Sequence, residues 1–320
     1  MKTLLVVQVQ QVTPHNYHSE TDHMVNGLAL SHANFVVPDL KRQVAYYEEV
    51  IGLQNADKAG GRVYLGAPSG SDALILSEGQ HTALAGLAFI CEPDKTVEEI
   101  VKGLAPHGIR GEIRSDPHPG MARSVMFKDL NGFQIELLQE QRFRTPGATK
   151  GVAPLRLGHV AMIVPDVKKT GEFYTNVLGF RLGDWVGDYF LFLRSGHEHH
   201  TVNFIQSNAT RMHHMAFEVQ NSAALTTSCD VLARAKLDVL WGPLRHGPGH
   251  NVSTYHKNPA GQLVELFTEL DLMSNEGLGY YDPRPWHHDQ PQRPKVWSTQ
   301  GPRRDVWGPF APEGFLTMGA

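Results

Sequence analysis

His159-Val-Ala-Met-Ile-Val-Pro-Asp-Val167 repeats His32-Ala-Asn-Phe-Val-Val-Pro-Asp-Leu40, which lies 127 residues earlier in the chain. The echo continues at the same offset: Tyr47 and Ile51-Gly52 answer to Tyr174 and Leu178-Gly179. Gly86-Leu-Ala-Phe89 then answers to His214-Met-Ala-Phe217 at an offset of 128. Asn131-Gly-Phe-Gln-Ile-Glu136 answers to Ala260-Gly-Gln-Leu-Val-Glu265 at 129. At three equivalent points the first copy therefore carries His, Gly and Glu, and the second carries His159, His214 and Glu265.

Within each copy the hydrophobic spacing alternates between strand and helix. Residues 28–37 read as a strand. Asp39 is suited to cap a helix through its carboxylate. Leu40, Val44, Tyr47 and Ile51 follow at steps of four, three and four, one helical face, with Gly52 as the stop. Val167, Gly171, Tyr174, Leu178 and Gly179 reproduce this in the second copy. Short apolar runs at 62–65, 73–76, 185–192 and 201–205 read as strands. Leu225, Cys229 and Leu232 mark a further helix, and 252–255 and 262–268 closing strands. The pattern predicts an α+β protein of four βαβββ modules paired into two tandem domains. The expected division is a polar leader at 1–24, a first domain at 25–141, a Pro/Gly-broken linker at 142–154, a second domain at 155–270 and an unrepeated tail at 271–320.

Composition narrows the function. A chain of 320 residues is long enough for two cores. A formal net charge of -4 offers no basic surface, so nucleic acid is not an expected partner. The two cysteines, Cys91 and Cys229, fall at non-equivalent places, which points away from a disulfide framework and toward a reduced, cytoplasmic setting. The apolar start at residues 1–7 is too short for an export segment or a membrane span.

Three potential ligands spread over more than a hundred residues have to converge by folding. A single strand histidine usually serves packing or hydrogen bonding. Glu265 has a twin in Glu136, and His159 has one in His32. The asymmetry singles out the second copy, because His214 stands where the first copy has Gly86. Two imidazoles and one carboxylate form the donor set of a mononuclear metal site with open positions. On this reading the first domain carries no metal. His200 heads a β-run, and the Gly/Pro-rich segment around His246 leads into Tyr255. His197, His199, His213 and His250 are expected either to be solvated or to back these groups.

Residues 155–270 resemble the catalytic domain of type I extradiol ring-cleaving dioxygenases, in the vicinal-oxygen-chelate (glyoxalase/bleomycin-resistance) superfamily. The matching pieces are Gly158-His159, His200, His213-His214-Met-Ala-Phe217, and Arg245-His246 through Tyr255-His-Lys-Asn-Pro-Ala-Gly261 to Glu265. Leu244 and Thr254 depart from the usual signature. The tail segment Arg303-Arg304-Asp-Val-Trp307-Gly is similar to one that closes over the site in homoprotocatechuate-cleaving members. The resemblance implies Fe(2+), with Mn(2+) as the alternative, held by His159, His214 and Glu265. It implies His200, His246 and Tyr255 as catalytic side chains, an aromatic diol and O2 as substrates, and a homo-oligomer. Trp241 stands where relatives that take carboxylated catechols place an arginine. An aromatic there suits an uncharged substituent, with Arg303 and Arg304 as possible cations from above. Two other classes share the fold: a metal-dependent lyase or isomerase of the glyoxalase kind, and a non-catalytic ligand-binding protein. A zinc hydrolase would need an HExxH helix, which is absent.

Overall fold

The structure, a computed structural model, describes residues 29–91, 95–140, 142–285, 291–300 and 305–319. The expected leader, Arg303 and Arg304 lie outside the described residues.

The four modules are present. The first comprises β1 (Ala29–Val37), α1 (Leu40–Tyr46), β2 (Gln54–Ala59), β3 (Arg62–Gly66) and β4 (Asp72–Glu78). The second comprises β5 (Ala83–Ile90), α2 (Val97–Leu104), β6 (Glu112–His118), β7 (Met121–Lys128) and β8 (Gln134–Leu138). The third comprises β9 (Arg156–Val164), α3 (Val167–Asn176), β10 (Arg181–Val186), β11 (Phe190–Arg194) and β12 (Val202–Gln206). The fourth comprises β13 (Arg211–Glu218), α4 (Ser222–Arg234), β14 (Trp241–Arg245), β15 (Val252–Lys257) and β16 (Leu263–Thr268). The tail adds β17 (Met273–Asn275), β18 (Tyr280–Tyr281) and β19 (Val296–Trp297).

Two modules make each sheet. The first sheet runs β2-β3-β4-β1-β5-β8-β7-β6, and the second runs β14-β15-β16-β13-β9-β12-β11-β10 with β19 added at its edge. In both, the first strands of the two modules pair antiparallel at the centre, β1 with β5 and β9 with β13. Asp39 and Asp166 cap their helices as expected, accepting from Arg42 N and Lys169 N. Two strand expectations need correction. The run 185–192 is two strands, because Gly187 turns the chain at φ +55°. β2 was not foreseen, since Gln-Asn-Ala-Asp-Lys-Ala shows no apolar alternation.

Strand alternation divides the work of β1 and β9. Ala33, Phe35 and Val37 enter the core from β1, and Val160, Met162 and Val164 enter it from β9. His32 and His159 point to the opposite face. One hydrophobic cluster runs through both domains, with Phe89 and Phe180 packing at 5.5 Å across the boundary. Each such fully buried ring contributes about 1.5–3 kcal/mol. The junction has a repeat symmetry of its own. Tyr47 of the first domain accepts from Asn258 Nδ2 at 3.2 Å, and Tyr174 of the second donates to Asp129 Oδ2 at 3.2 Å. Among the described residues, no helix is long and apolar enough to cross a membrane.

Candidate metal centre and its cavity

β9, β13 and β16 are neighbours in the second sheet, with Ala216 of β13 paired to both His159 and Glu265. This register brings the expected triad together. His159 Nε2 lies 3.0 Å from Glu265 Oε2, and His214 Nε2 lies 3.1 Å from the same oxygen. All three side chains are buried. The other carboxylate oxygen, Oε1, accepts from Ser253 Oγ at 2.6 Å and from Asn251 Nδ2 at 3.0 Å. Glu265 is thereby left with one oxygen facing two imidazoles. His214 Nε2, though close to that oxygen, is not aligned for a hydrogen bond and has no other partner. An orphaned nitrogen beside a buried carboxylate suits a divalent cation between them. Burial alone would raise the Glu265 carboxyl, but the charge and hydrogen bonds of His159 and His214 outweigh it and hold it well below its ordinary value.

A partner stands behind each of three groups that face the cavity, buried for two of them and half-buried for the third. His213 Nε2 donates to the Phe315 carbonyl at 2.8 Å. Its Nδ1 must then accept from His214 Nδ1, 2.7 Å away, which leaves His214 Nε2 with a free lone pair. Burial first, and the neighbouring His214 second, push His213 down to about 3, so it stays neutral. His199 is arranged in the same way. Its Nε2 sits 2.9 Å from Asp184 Oδ2, off the ideal N–H direction, and its Nδ1 is 2.9 Å from His200 Nδ1. His199 therefore accepts from His200, whose Nε2 keeps its lone pair. Burial and the adjacent His159 push His200 well below the usual histidine range. In the third chain, His246 Nδ1 donates to Asp305 Oδ1 at 3.0 Å and its Nε2 accepts from the Tyr255 hydroxyl at 2.8 Å. Burial, then the Glu265 charge, raise the Tyr255 phenol well above 10, so it keeps its proton.

These groups line one cavity of about 450 Å³. Phe190, Phe192, Trp241, Phe310 and Phe315 form much of its wall. Trp241 stacks on Tyr255 with ring centroids 5.2 Å apart, and its Nε1 donates to the Pro309 carbonyl at 3.0 Å. The tail supplies Asp305 and residues 310–312 and 314–317 to the lining, whereas Trp307 is 44% exposed and pairs with Arg245 outside the cavity. Among the backing histidines, His199, His213 and His250 are buried and His197 is exposed. Sequence reasoning missed Asp184 and Asp305. Neither sits in a local motif with the histidine it holds, and Asp184 is fixed by the tail through Lys295 N and Trp297 Nε1.

The first domain also gathers three potential donors. It was read as metal-free because Gly86 replaces the second histidine. Gly86 is a packing requirement: a Cβ there would lie 2.5 Å from the Gln134 carbonyl oxygen of the adjacent strand. A third donor nevertheless arrives from elsewhere. His118, at the end of β6, converges with His32 and Glu136.

The family model of the Glyoxalase/Bleomycin resistance protein/Dioxygenase superfamily matches residues 29–137 and again 156–266. The chain belongs to this superfamily. Proteins similar to it include the manganese-dependent 2,3-dihydroxybiphenyl 1,2-dioxygenase of Geobacillus genomosp. 3, 21% identical over 87% of this chain and 95% of that protein. Metapyrocatechase 2 of Cupriavidus necator is 29% identical, over 61% of this chain and 67% of its own length. In fold, homoprotocatechuate 2,3-dioxygenase from Brevibacterium fuscum, solved with 3,4-dihydroxyphenylacetate, aligns with a TM-score of 0.78 at 22% identity. That alignment covers 92% of this chain and 93% of the other.

Proposed function

We propose that this protein is an extradiol dioxygenase that opens a catechol-type ring next to its diol and keeps both atoms of O2 in the product. One observation carries the reading: His159 and His214 present Nε2 to a single oxygen of Glu265 at the base of an aromatic cavity, with His200 and Tyr255 beside them. The curated relatives named above support it.

His159, His214 and Glu265 would hold the metal, Fe(2+) or, with the same donors, Mn(2+). When bound, the ion supplies positive charge that favours the ionised diol, and open positions that bring diol and O2 together. The need is considerable, since ionising a phenol of pKa near 10 at pH 7 costs about 4 kcal/mol. The protein's own groups divide the remaining tasks. Tyr255 keeps its proton and donates or accepts at a substrate oxygen, oriented by His246 and Asp305. His200 is neutral at pH 7 and offers Nε2 as a proton acceptor, its ring fixed through His199 and Asp184. The phenylalanines and Trp241 exclude water and pack on the ring.

Among the described residues lining the cavity there is no lysine or arginine. The wall therefore favours an uncharged alkyl- or arylcatechol over a carboxylated one. The test is anaerobic reconstitution with Fe(2+) or Mn(2+), followed by O2 uptake and ring-opening absorbance over a panel of catechols. We expect O2 consumption stoichiometric with diol and a higher kcat/KM for methyl- or arylcatechol than for dihydroxyphenylacetate. Metal binding without O2 uptake on any diol would favour the lyase or binding-protein classes. A clear preference for the acid would overturn the specificity.

A further inference from the structure

We propose that the first domain holds a second, structural divalent cation of the zinc class, bound by His32, His118 and Glu136. One donor atom from each of these buried side chains lies within 4.8 Å of the others. His118 Nε2 is 2.8 Å from Glu136 Oε2, the relation that His159 Nε2 has to Glu265 Oε2 at 3.0 Å. The other oxygen, Glu136 Oε1, accepts from Ser124 Oγ at 2.6 Å, just as Glu265 Oε1 accepts from Ser253 at 2.6 Å. The two serines are related by the repeat offset of 129, as are the two glutamates. Each domain therefore turns one glutamate oxygen toward its histidines and ties down the other.

The second observation is an unmet nitrogen. His32 is 1% exposed, and its Nδ1 is taken by Ser31 Oγ at 3.0 Å. Its Nε2 is buried with no partner, and its ring meets that of His118 edge-on at 5.1 Å. Two residues along the same strand face, Asn34 Oδ1 is also buried without a partner. The His118–Glu136 pair leaves His32 Nε2 unpaired in the interior, where such groups are rarely left, and His118 Nδ1 has no partner either. A cation takes up His32 Nε2 together with one donor atom each from His118 and Glu136. Burial, with His118 close by, lowers His32 to about 4, so its imidazole is neutral and competent as a donor.

The chemistry of the site differs from that of the second domain. None of the three residues lines the main cavity, and Tyr64 packs edge-on against His118 at 5.8 Å. Two imidazoles and a carboxylate are donors that zinc-class ions accept, and it is the seclusion from the main cavity that gives such an ion a structural role. His118 falls, at the repeat offset, next to the counterpart of His246. The first domain thus recruits as a ligand the segment that in the second domain carries a cavity side chain.

The experiment counts cobalt. The full chain is stripped, titrated anaerobically with Co(2+), and followed by d–d absorption and by elemental analysis after desalting. The wild type is expected to take up two equivalents. His214→Ala, which leaves the first domain untouched, is expected to keep one, and adding His118→Gln should remove it. His118→Gln alone should lower the apparent Tm in the presence of metal while ring cleavage stays within about twofold. One equivalent in the wild type, none in His214→Ala, or an equivalent that survives the double substitution would each overturn the proposal. Because the count is made without turnover, the result stands whether or not the chain proves to be a dioxygenase.

Discussion

The two domains start from one plan and end with different surroundings for similar donors. In each, a histidine on the first strand faces a glutamate on the last, and a serine anchors the glutamate. In the second domain the remaining imidazole, His214, comes from the central strand, and three sets of backing partners meet beside an aromatic cavity. In the first, Gly86 is pressed against the neighbouring backbone, and the donor comes from an edge strand into a closed interior. The sheet sets which side chains can converge. What stands above them sets whether they can meet a substrate.

The sharpest way to break this contrast is to remove equivalent donors. His214→Ala or Glu265→Gln should abolish stoichiometric metal in the second domain and lower kcat/KM by about a thousandfold or more, given the several kcal/mol a metal supplies. His32→Gln and Glu136→Gln should leave turnover of the metal-loaded protein nearly unchanged. Steady-state kinetics beside elemental analysis decides it. If a folded Glu136→Gln protein lost activity as fully as Glu265→Gln, the division of labour would be wrong.

A second comparison separates the cavity's proton acceptor from the groups that orient ligands. His200→Ala should retain its metal and lose about 10²–10⁴ in turnover. His213→Phe removes the acceptor behind His214 Nδ1 and should weaken metal affinity by about 10–100-fold, with turnover recovering at high metal. Metal titration of both variants tests this. Metal loss in His200→Ala, or no affinity change in His213→Phe, would reassign the roles.

Much of this was legible in the sequence. The duplicated His-x-x-x-x-x-Pro-Asp pattern gave the modules, and the helical spacing that follows gave α1 and α3. His159, His214 and Glu265 were visible because duplication supplies an internal control for each position. The same control did not reveal His118. It compares positions, whereas coordination depends on space, and His118 reaches the first triad from a position whose counterpart is Gly247. Asp184 and Asp305 were hidden for a related reason. Each acts on a histidine from a distant or unrepeated segment, and no local spacing records that contact.

The domain junction contains a pH contrast. Tyr46 OH lies 2.5 Å from His256 Nε2 in the buried junction, whereas the equivalent positions across the pseudo-symmetry hold Phe173 and Phe127. Burial pushes His256 down to about 3. A depressed folded value means that the unfolded chain takes up the proton first. Stability from this group is full above about 6.5 and is lost as pH falls toward 3. Between pH 7 and 5 the loss is about 2 kcal/mol. Making the pair apolar, with Tyr46→Phe and His256→Phe together, should remove that increment. Denaturant unfolding of both proteins at the two pH values measures it. A difference between them that does not change with pH would mean His256 is not the titrating group.

The smallest effect concerns the tyrosine pair that pins the domains together. Tyr174 donates to Asp129, whose carboxylate also accepts from Asn131 N and Phe133 N. Burial raises the Asp129 carboxyl despite these bonds, so each donor it has matters. Tyr47, at the equivalent position, accepts from the neutral amide of Asn258 and points its hydroxyl toward Met215 Sδ at 3.3 Å. A hydrogen bond to a charged group contributes about 1.5–3 kcal/mol and a neutral one about 1 kcal/mol. Tyr174→Phe should therefore destabilise more than Tyr47→Phe, by about 1 kcal/mol, although both remove one oxygen from matching sites. The difference should close in the Asp129→Asn background, where the charge is gone and Tyr174, like Tyr47, has only a neutral partner. Unfolding free energies of the two single variants and their Asp129→Asn combinations form the necessary cycle. Equal costs in both backgrounds would show that the junction responds to packing alone and that its polar asymmetry has no energetic weight.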